Sequence, residues 1–303
     1  MKKKNLLITG CTGMIGLSLL QRLIKEQNYN ISVIYKNKSS FNKIKIKSLD
    51  IKFIKLDLKN TKLINKIKRT ENYYAVIHMA SSRVSSHSNF KSHFEENFQI
   101  TINLLNFIKK RNVRHFIFTN SAAIYKPGLN LKENSSKSNN PYGLSKYLNS
   151  NLIKNFCLAE RIYFKDLRIF SVFGEWEKSE RLVAGAIDSA RNKNPFFIKT
   201  INQFRDYLHT DDVVSAIIKS IKIKKTISLN ICSGKKVSTH KLVNKIFDKL
   251  SSKNLIKFKI NQYDKNKHIV LPKMTGNNNL AKKILDWNPK NGIDEGINLT
   301  IKE

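Results

Sequence analysis

The chain has 303 residues, enough for a large buried core with a smaller companion unit. It carries 56 Lys and Arg residues against 22 Asp and Glu residues, a formal net charge of +34, spread along the whole chain rather than gathered in one block. Because the charge is spread, it argues against a specific nucleic-acid partner. The lack of an apolar run of about 18 residues argues against a membrane span. Three cysteines without a CxxC pair indicate a reduced, cytoplasmic location.

A glycine-rich turn follows the first predicted strand. Residues Asn5 to Thr9 are a short apolar run, typical of a buried parallel strand, and leucines at helical spacing follow the turn. Glycines in such a turn allow the backbone to approach a pyrophosphate closely, and the helix N-terminus favours an anion. The turn therefore predicts a dinucleotide cradle formed by Gly10, Thr12, Gly13, Met14, Ile15 and Gly16.

The end of the second predicted strand, Ile31 to Tyr35, bears on the choice of cofactor. NAD-binding units place an acidic residue there to hold the ribose 2′-hydroxyl, but this chain has no Asp or Glu between residues 26 and 50. Lys36, Lys38 and Ser39 occupy the place instead, and their chemistry suits a 2′-phosphate. The alternative is that they are three more surface residues, so we predict NAD or NADP, with NADP favoured.

Two further strands supply residues near the predicted cofactor. Ile51 to Leu56 is a predicted strand. Asp57 follows it, and its carboxylate is placed to meet the adenine amine. Tyr74 to His78 is the next strand, and small residues after it would let a cofactor lie close to the backbone. His78 itself ends an apolar run, so we expect it to be a structural histidine. The predicted cofactor contacts in this region are Lys36, Asp57, Leu58, Met79, Ala80, Ser81 and Asn97, with Ser82 as a predicted substrate contact.

The fifth predicted strand and the helix after it carry the candidate chemistry. The predicted strand from His115 to Thr119 places Ser121 at the edge where open α/β sheets bind ligands. The alternative is that Ser121 is an ordinary turn serine. Tyr142 and Lys146 follow a proline and lie four residues apart, on one face of a helix. The Lys ammonium would lower the pKa of the tyrosine from about 10, so that the phenol can exchange a proton with a carbinol or ketone. The alternative is an ordinary surface pair.

The regular alternation of strands and helices weakens after the sixth predicted strand, Lys165 to Phe170. We predict an α/β fold: a Rossmann-type doubly wound parallel sheet with a smaller C-terminal α+β substrate domain. The predicted divisions are 1–172 with 205–222 for dinucleotide binding, and 173–204 with 223–303 for substrate binding. Arg205 suits a phosphate because its guanidinium can bind in bidentate fashion, whereas Asp211 and Asp212 suit the first turn of a helix.

Together these motifs resemble the extended short-chain dehydrogenase/reductase superfamily, in its NAD-dependent epimerase/dehydratase branch that acts on nucleotide sugars. The resemblance rests on GCTGMIG at 10–16, Asp57-Leu58, VIHMAS at 76–81, Asn97, TNSAAIY at 119–125, YGLSK at 142–146, LRIFSVFG at 167–174, RDYLHTDDV at 205–213 and LDWNP at 285–289. It implies a catalytic set of Ser121, Tyr142 and Lys146, with Tyr142 as acid/base and Lys146 also on the nicotinamide ribose. It further implies cofactor contacts at Thr119 and Phe170, substrate contacts at Ser82, Ser121, Ser171 and Arg205, no metal, and a possible homodimer.

Departures from the family pattern narrow the expected reaction. Ala122-Ala123 stand where the 4,6-dehydratases of the family place an acidic pair, so dehydration would lack its general acid. Ser171 replaces a usual asparagine, and Lys126 replaces a usual glycine. Ser-Ala-Ala before Ile-Tyr most resembles the sugar 4-epimerases. We therefore expect a nucleotide-sugar epimerase; the alternatives are an NADPH-dependent 4-keto-sugar nucleotide reductase, a 4,6-dehydratase, and a non-catalytic nucleotide- or nucleic-acid-binding protein.

Overall fold

The computed structural model describes residues 3–36, 51–60, 71–82, 90–109, 111–138, 140–198, 203–258 and 273–302. Lys38 and Ser39, which were predicted to suit a 2′-phosphate, lie outside these ranges. The strands are β1 (Lys4–Thr9), β2 (Tyr29–Tyr35), β3 (Ile51–Lys55), β4 (Ala75–His78), β5 (His115–Ser121), β6 (Gly128–Leu131), β7 (Tyr163–Ile169), β8 (Ser171–Phe173), β9 (Phe196–Ile198), β10 (Phe204–Arg205), β11 (Tyr207–His209), β12 (Ile227–Ile231), β13 (Val237–Ser238), β14 (Ile256–Phe258) and β15 (Lys273–Gly276). The helices are α1 (Met14–Glu26), α2 (Phe90–Ile108), α3 (Pro141–Ala159), α4 (Leu182–Arg191), α5 (Thr210–Ser220), α6 (Thr239–Lys249), α7 (Asn279–Leu285) and α8 (Ile293–Lys302).

A seven-stranded parallel sheet in the order β12-β7-β5-β4-β1-β2-β3 forms the centre of the molecule. Helices α1 and α5 pack against each other on one face, and α2 and α3 pack against each other on the other. The central strands β1, β4 and β5 are buried almost throughout because helices cover both faces, whereas the edge strand β3 is largely exposed. This is the predicted doubly wound Rossmann-type sheet, and the order reverses between β1 and β4, which opens a crevice at the carboxyl ends of these strands.

Two strands connect the parts that were predicted as separate domains. Strand β12, assigned from sequence to the substrate-binding part, pairs in parallel with β7 and forms an edge of the main sheet. Its apolar residues are buried against the sheet, so residues 227–231 belong with the first part. Conversely, β6 leaves the first part and joins a four-stranded sheet in the order β13-β10-β15-β6. The division into two domains otherwise stays a prediction.

The C-terminal segment is fastened to helix α5 by Asp212. The Asp212 carboxylate accepts hydrogen bonds from the backbone N–H groups of Lys290 (2.8 Å) and Asn291 (3.0 Å), and its backbone carbonyl accepts one from Trp287 Nε1 (3.0 Å). Trp287 is only 1% exposed. The expected structural role of Asp212 in the first turn of α5 is confirmed, with this second attachment added. No helix in the described ranges has the length and apolar character required to cross a bilayer.

Candidate active site

The predicted dinucleotide cradle lies between β1 and α1. Helix α1 begins at Met14, so Met14, Ile15 and Gly16 form its first turn, while Gly10, Thr12 and Gly13 precede it. Gly10 has φ +73°, and a Cβ there would lie 2.4 Å from the backbone N of Ala80. A Cβ on Gly16 would lie 2.3 Å from Gly10 O. Gly13 is the N-cap residue of α1, and no side chain accepts a hydrogen bond from the first turn there. The backbone N–H groups of that turn therefore face the crevice.

The loop after β4 is held against this turn by polar side chains. Met79 N donates to Thr9 O (3.1 Å), and Ala80 N donates to Thr9 Oγ1 (3.3 Å). Asn97 Oδ1 accepts hydrogen bonds from Ser81 Oγ (2.9 Å) and Ser82 N (2.8 Å). Asn97 therefore orders the loop that carries the predicted cofactor and substrate contacts.

His78 is a structural residue, as expected from its position in an apolar strand. Its Nδ1 lies 2.8 Å from Thr9 Oγ1, its Nε2 lies 3.5 Å from Thr101 Oγ1, and the ring stacks on Phe118. Burial lowers the pKa of His78 to about 3. A neutral, hydrogen-bonded imidazole of this kind does not act as a base in the crevice.

The residues predicted to meet the adenosine end form an ion pair. Lys36 Nζ lies 2.9 Å from Asp57 Oδ2, and Asp57 Oδ1 accepts a hydrogen bond from Lys59 N (3.0 Å). Burial pushes the pKa of Asp57 up, but the hydrogen bonds from Lys36 and Lys59 outweigh it and hold the pKa below its usual value. Leu58 is buried, and its carbonyl accepts a hydrogen bond from Asn103 Nδ2 (2.7 Å).

Ser121 and Tyr142 are brought together by a short turn and a capped helix. Ala122–Ile124 form a 3₁₀ turn whose Ala123 N donates to Ser121 Oγ (3.1 Å). Asn140 is the N-cap of α3: its Oδ1 accepts from Gly143 N (2.8 Å), and its Nδ2 donates to Ala123 O (3.1 Å). Pro141 follows at the first helical position, which favours the helix start at this point. Tyr142 forms a side-chain hydrogen bond with Ser121.

The predicted electrostatic effect of Lys146 on Tyr142 is wrong. Burial raises the pKa of Tyr142, and the groups that lower it are Ser121 and Arg181. Lys146 is buried, donates to Thr119 O (3.4 Å) and lies 4.9 Å from the centroid of the Phe118 ring. Burial lowers the pKa of Lys146 to about 8, against the opposing charge of Asp166. Lys146 thus lies one turn along α3, as the spacing predicts, but its ammonium is held against β5.

Two predicted cofactor contacts have buried side chains. Thr119 Oγ1 donates to His78 O (3.3 Å), so this hydroxyl links β5 to β4. Phe170 is 6% exposed and packs with Tyr125, Cys232 and Met274. A contact between Phe170 and a cofactor would therefore involve its backbone rather than its ring.

A buried ion pair supports the strand that carries Ser121. Arg168 Nε lies 2.9 Å from Asp166 Oδ2, and Asn120 Nδ2 donates to Asp166 Oδ1 (2.7 Å). Asn120 Oδ1 in turn accepts a hydrogen bond from Ser121 N (2.8 Å). Asp166 is 1% exposed, and its full set of hydrogen bonds satisfies the buried carboxylate. Neither Asp166 nor Asn120 was predicted from the sequence to be a site residue.

A cavity of about 530 Å³ opens beside β8, β10 and α4. The predicted substrate residues Ser171 and Arg205 line it, whereas Ser82 and Ser121 do not. Glu177 and Arg181 also line it and were not predicted from the sequence. The charged stretch from Glu175 to Arg181, directly after a strand end, is the signal that could have identified them. No cluster of three or more His, Cys, Asp or Glu side chains suited to a metal occurs in the described ranges.

The site fits a dinucleotide. The uncapped N-terminus of α1, the close approach of Gly10 and Gly16 to neighbouring backbone, and the ordered loop at Ala80 leave a backbone-lined crevice suited to a diphosphate. A family model described as the NAD dependent epimerase/dehydratase family matches residues 6–232. The chain belongs to this family.

Proteins of the family with similar chains support the same fold. A Methanocaldococcus jannaschii protein with the provisional name UDP-glucose 4-epimerase is 29% identical, covering 96% of this chain and 95% of that protein. The crystal structure of UDP-glucose 4-epimerase from Thermotoga maritima with UDP-glucose superposes with a TM-score of 0.86 at 22% identity, covering 98% of this chain and 97% of that one. The dTDP-glucose 4,6-dehydratase of Bacillus anthracis in complex with NAD superposes with a TM-score of 0.85 at 18% identity, covering 99% and 96%.

Proposed function

We propose that the chain is a nucleotide-sugar epimerase that works with a nicotinamide cofactor. The observation that carries the proposal is the hydrogen bond between Tyr142 and Ser121 at the carboxyl end of β5, with Lys146 one helical turn away. A dinucleotide bound in the crevice above β1 and β4 would lie at the same edge of the sheet, which supports the proposal. The sugar 4-epimerase names of similar proteins support the reaction class.

The residues of the chain supply proton transfer and orientation. When bound, the cofactor would accept a hydride from a sugar carbon and return it to the same carbon. Tyr142 takes the proton from the hydroxyl on that carbon and returns it after the keto-sugar has presented its other face. Ser121 holds the same oxygen through its hydroxyl. The ionised form of Tyr142 that starts the cycle is favoured by Ser121 and by the positive charge of Arg181, against the cost of burial.

The alanine pair after Ser121 supports epimerisation or reduction over dehydration. Ala122 and Ala123 form the 3₁₀ turn beside the catalytic hydroxyl, and neither methyl group can protonate a leaving hydroxyl. Elimination of water from the sugar would require a carboxylic acid or equivalent donor at this place. The turn resembles that of an enzyme that oxidises and reduces one carbon.

The deciding experiment measures stoichiometry with the purified protein. UDP-, dTDP-, CDP- and GDP-sugars are supplied with each oxidised cofactor, and the corresponding 4-keto-sugar nucleotides are supplied with NADH or NADPH. The amount of product is compared with the change in reduced nicotinamide. Epimer formed from the sugar nucleotide without net change in reduced cofactor supports the proposal, whereas one NADPH oxidised per keto-sugar consumed would support the keto-sugar reductase instead. The same preparation on a sizing column tests the homodimer, which stays a prediction.

A tyrosine pair on one helix provides the matched control. Tyr142→Phe should lower kcat by about 10²–10⁴-fold while cofactor affinity is retained, because only the proton carrier is removed. Tyr147→Phe on the same helix removes an equivalent hydroxyl outside the proposed set and should leave kcat unchanged. Full turnover in Tyr142→Phe would contradict the proposal.

We also propose NADP as the preferred cofactor. Two observations support this choice: β2 ends without a carboxylate, and Lys36 follows it with a side chain that is 61% exposed. The ion pair with Asp57 orders the Lys36 side chain at the end of β2, which supports the proposed contact with a 2′-phosphate. Dissociation constants for NAD⁺ and NADP⁺ measured by calorimetry test the choice, and tighter binding of NAD⁺ would reverse it.

A further inference from the structure

The cavity beside β8 contains a guanidinium that no described residue pairs with. Arg205 lies on β10 and lines this cavity of about 530 Å³. Within the described ranges its guanidinium forms neither an ion pair nor a hydrogen bond. A guanidinium on a cavity wall favours an anionic ligand and can bind a phosphate through two parallel hydrogen bonds. The diphosphate of a nucleotide sugar is a ligand of this class, and the volume is in the range of pockets that bury small ligands.

The side chains on either side of Arg205 alternate between the cavity and the protein interior. Gln203, Arg205 and Tyr207 line the cavity, whereas the residues between them do not. An extended backbone places successive side chains on opposite faces, so the side chain of Asp206 points away from the cavity. Asp206 is 0% exposed, which means that its carboxyl group is buried behind the wall that presents Arg205.

The buried carboxylate of Asp206 is held by donors from two other segments of the chain. Its Oδ1 accepts hydrogen bonds from Ser233 N (2.7 Å) and Ser233 Oγ (2.6 Å), and its Oδ2 accepts them from Gly234 N (2.9 Å) and Gly276 N (3.2 Å). Burial raises the pKa of Asp206, and these hydrogen bonds oppose that effect. Because each oxygen meets donors, the arrangement needs an acceptor at both positions of the carboxyl group.

These contacts fix the backbone next to Arg205. The loop with Ser233 follows β12, the edge strand of the main sheet, and β15 belongs to the four-stranded sheet. The main chain of Asp206 is held as well, because its N–H donates to Met274 O (3.0 Å) and its carbonyl accepts a hydrogen bond from Ser171 N (3.0 Å). Asp206 therefore joins both sheets and the cavity strand β8 at the residue that follows Arg205.

We propose that Asp206 is a positioning residue for substrate binding: it holds the backbone from which Arg205 binds the diphosphate of the nucleotide sugar. The proposal rests on the proposed function for the identity of the substrate. A bidentate contact between a guanidinium and a phosphate depends on the direction of approach, so a small displacement of Arg205 weakens it. Asp206 itself does not line the cavity and acts through its neighbour.

The test is a double-mutant cycle with Asp206→Asn and Arg205→Ala, measured by calorimetry. UDP, dTDP, CDP and GDP are the probes, and the one that binds the wild type most tightly is used throughout the cycle. Asp206→Asn places an amide N–H₂ against N–H donors, so the loop shifts and affinity for the diphosphate should fall about tenfold. Arg205→Ala alone should lose at least as much. In the Arg205→Ala background, Asp206→Asn should change affinity by no more than about twofold, because the residue that it positions is gone.

Ser233→Ala is a milder variant, for the case in which Asp206→Asn does not fold. It removes one hydroxyl donor to Asp206 Oδ1, so diphosphate affinity should fall about threefold when Arg205 is present and should not change measurably in Arg205→Ala. Ser228→Ala is the matched control. Its hydroxyl lies on β12 and donates to another buried carboxylate, that of Asp166 (3.1 Å), so its removal should leave diphosphate affinity unchanged.

A structural role alone gives a different result. Equal losses of diphosphate affinity in the two Arg205 backgrounds would show that Asp206 supports only the fold, and this overturns the proposal. Unchanged affinity in Arg205→Ala, or in every folded variant at Asp206 and Ser233, overturns it too, as does an equal loss in Ser228→Ala. Cofactor affinity should stay within about twofold of the wild type in each variant. A parallel loss of cofactor affinity would reveal a general loss of structure and likewise overturn the proposal.

Failure of this proposal differs from failure of the proposed function. Binding is measured without turnover, so an active epimerase with equal losses in both backgrounds overturns only the role of Asp206. A wild-type protein that binds none of the nucleoside diphosphates and none of the nucleotide sugars overturns both.

Discussion

Lys36 Nζ lies 2.9 Å from Asp57 Oδ2 and thereby joins the end of β2 to the residue that follows β3. The two residues were predicted separately, one for the ribose phosphate and one for the adenine. Their contact means that the cation and the carboxylate that were predicted to meet the adenosine form one unit. The lysine is 61% exposed and the aspartate 30% exposed, so the pair itself adds little stability.

Lys36→Ala tests the role of this pair in cofactor choice. Removal of the ammonium should weaken NADP⁺ binding by about tenfold because a charge-assisted contact to the 2′-phosphate is lost. NAD⁺ affinity should change by no more than about twofold. Fluorescence titration of both cofactors gives the two dissociation constants, and Lys25→Ala, at the far end of α1, is the control. Equal losses for both cofactors would contradict a phosphate contact.

Gly16→Ala should weaken cofactor binding without changing any polar group. The added Cβ would lie 2.3 Å from Gly10 O, so either the turn or helix α1 must shift. We expect a loss of about 1–3 kcal/mol in unfolding free energy and a weakened affinity for both cofactors. Gly292→Ala is the matched control, since nothing lies within 4 Å of its added Cβ. Cofactor affinity equal to that of the wild type would show that the turn tolerates the methyl group.

Asp166→Asn should alter the pH dependence of cofactor binding although Asp166 is not a catalytic residue. The carboxylate raises the pKa of Lys146 against the larger effect of burial. Its loss should lower that pKa, so the proposed contact of the Lys146 ammonium with the nicotinamide ribose, and with it cofactor affinity, should be lost at lower pH. A reduced affinity with an unchanged pH dependence would indicate that Asp166 only supports the fold. Breaking the buried pair with Arg168 should also cost about 3–5 kcal/mol of stability.

Lys165 should make the stability of the protein rise with pH. It is 0% exposed, its Nζ lies 2.7 Å from His115 Nδ1, and burial lowers its pKa to about 7. From pH 7 to about 9 the unfolded chain binds this proton and the folded chain does not, so the unfolding free energy rises by about 1 kcal/mol per pH unit. Urea unfolding should show this slope reduced in Lys165→Met and kept in Lys154→Met, an exposed control. An equal slope in both variants would contradict the assignment.

The features that could be predicted from the sequence depend on short local patterns. The apolar runs identified the strands of the main sheet, the glycine spacing located the turn at Gly10, and the interval between Tyr142 and Lys146 placed both on α3. The pairing of Tyr142 with Ser121 follows from the sheet edge at which β5 ends. These are properties of one strand, one turn or one helix.

The contacts that could not be predicted join residues far apart in the chain. Asn120 and Asp166 are 46 residues apart. Asn120 lies within the motif at 119–125, but nothing in the motif shows that its side chain reaches Asp166, which belongs to none of the motifs. Arg181 approaches Tyr142 only because α4 packs beside the end of β8, which no local pattern specifies. The predicted pKa of Tyr142 was wrong for the same reason: the spacing of Tyr142 and Lys146 does not show how deeply each group is buried.

The attachment of the C-terminal segment to Asp212 constrains how the protein can be made. Every strand of the main sheet and every proposed catalytic residue has been synthesised by residue 231, yet Trp287, which closes over α5, lies 75 residues after its partner in the chain. A nascent chain released before that point would expose the apolar surface that Trp287 covers. Termination of synthesis before residue 287 should therefore yield a product for chaperones and proteases rather than a shortened enzyme.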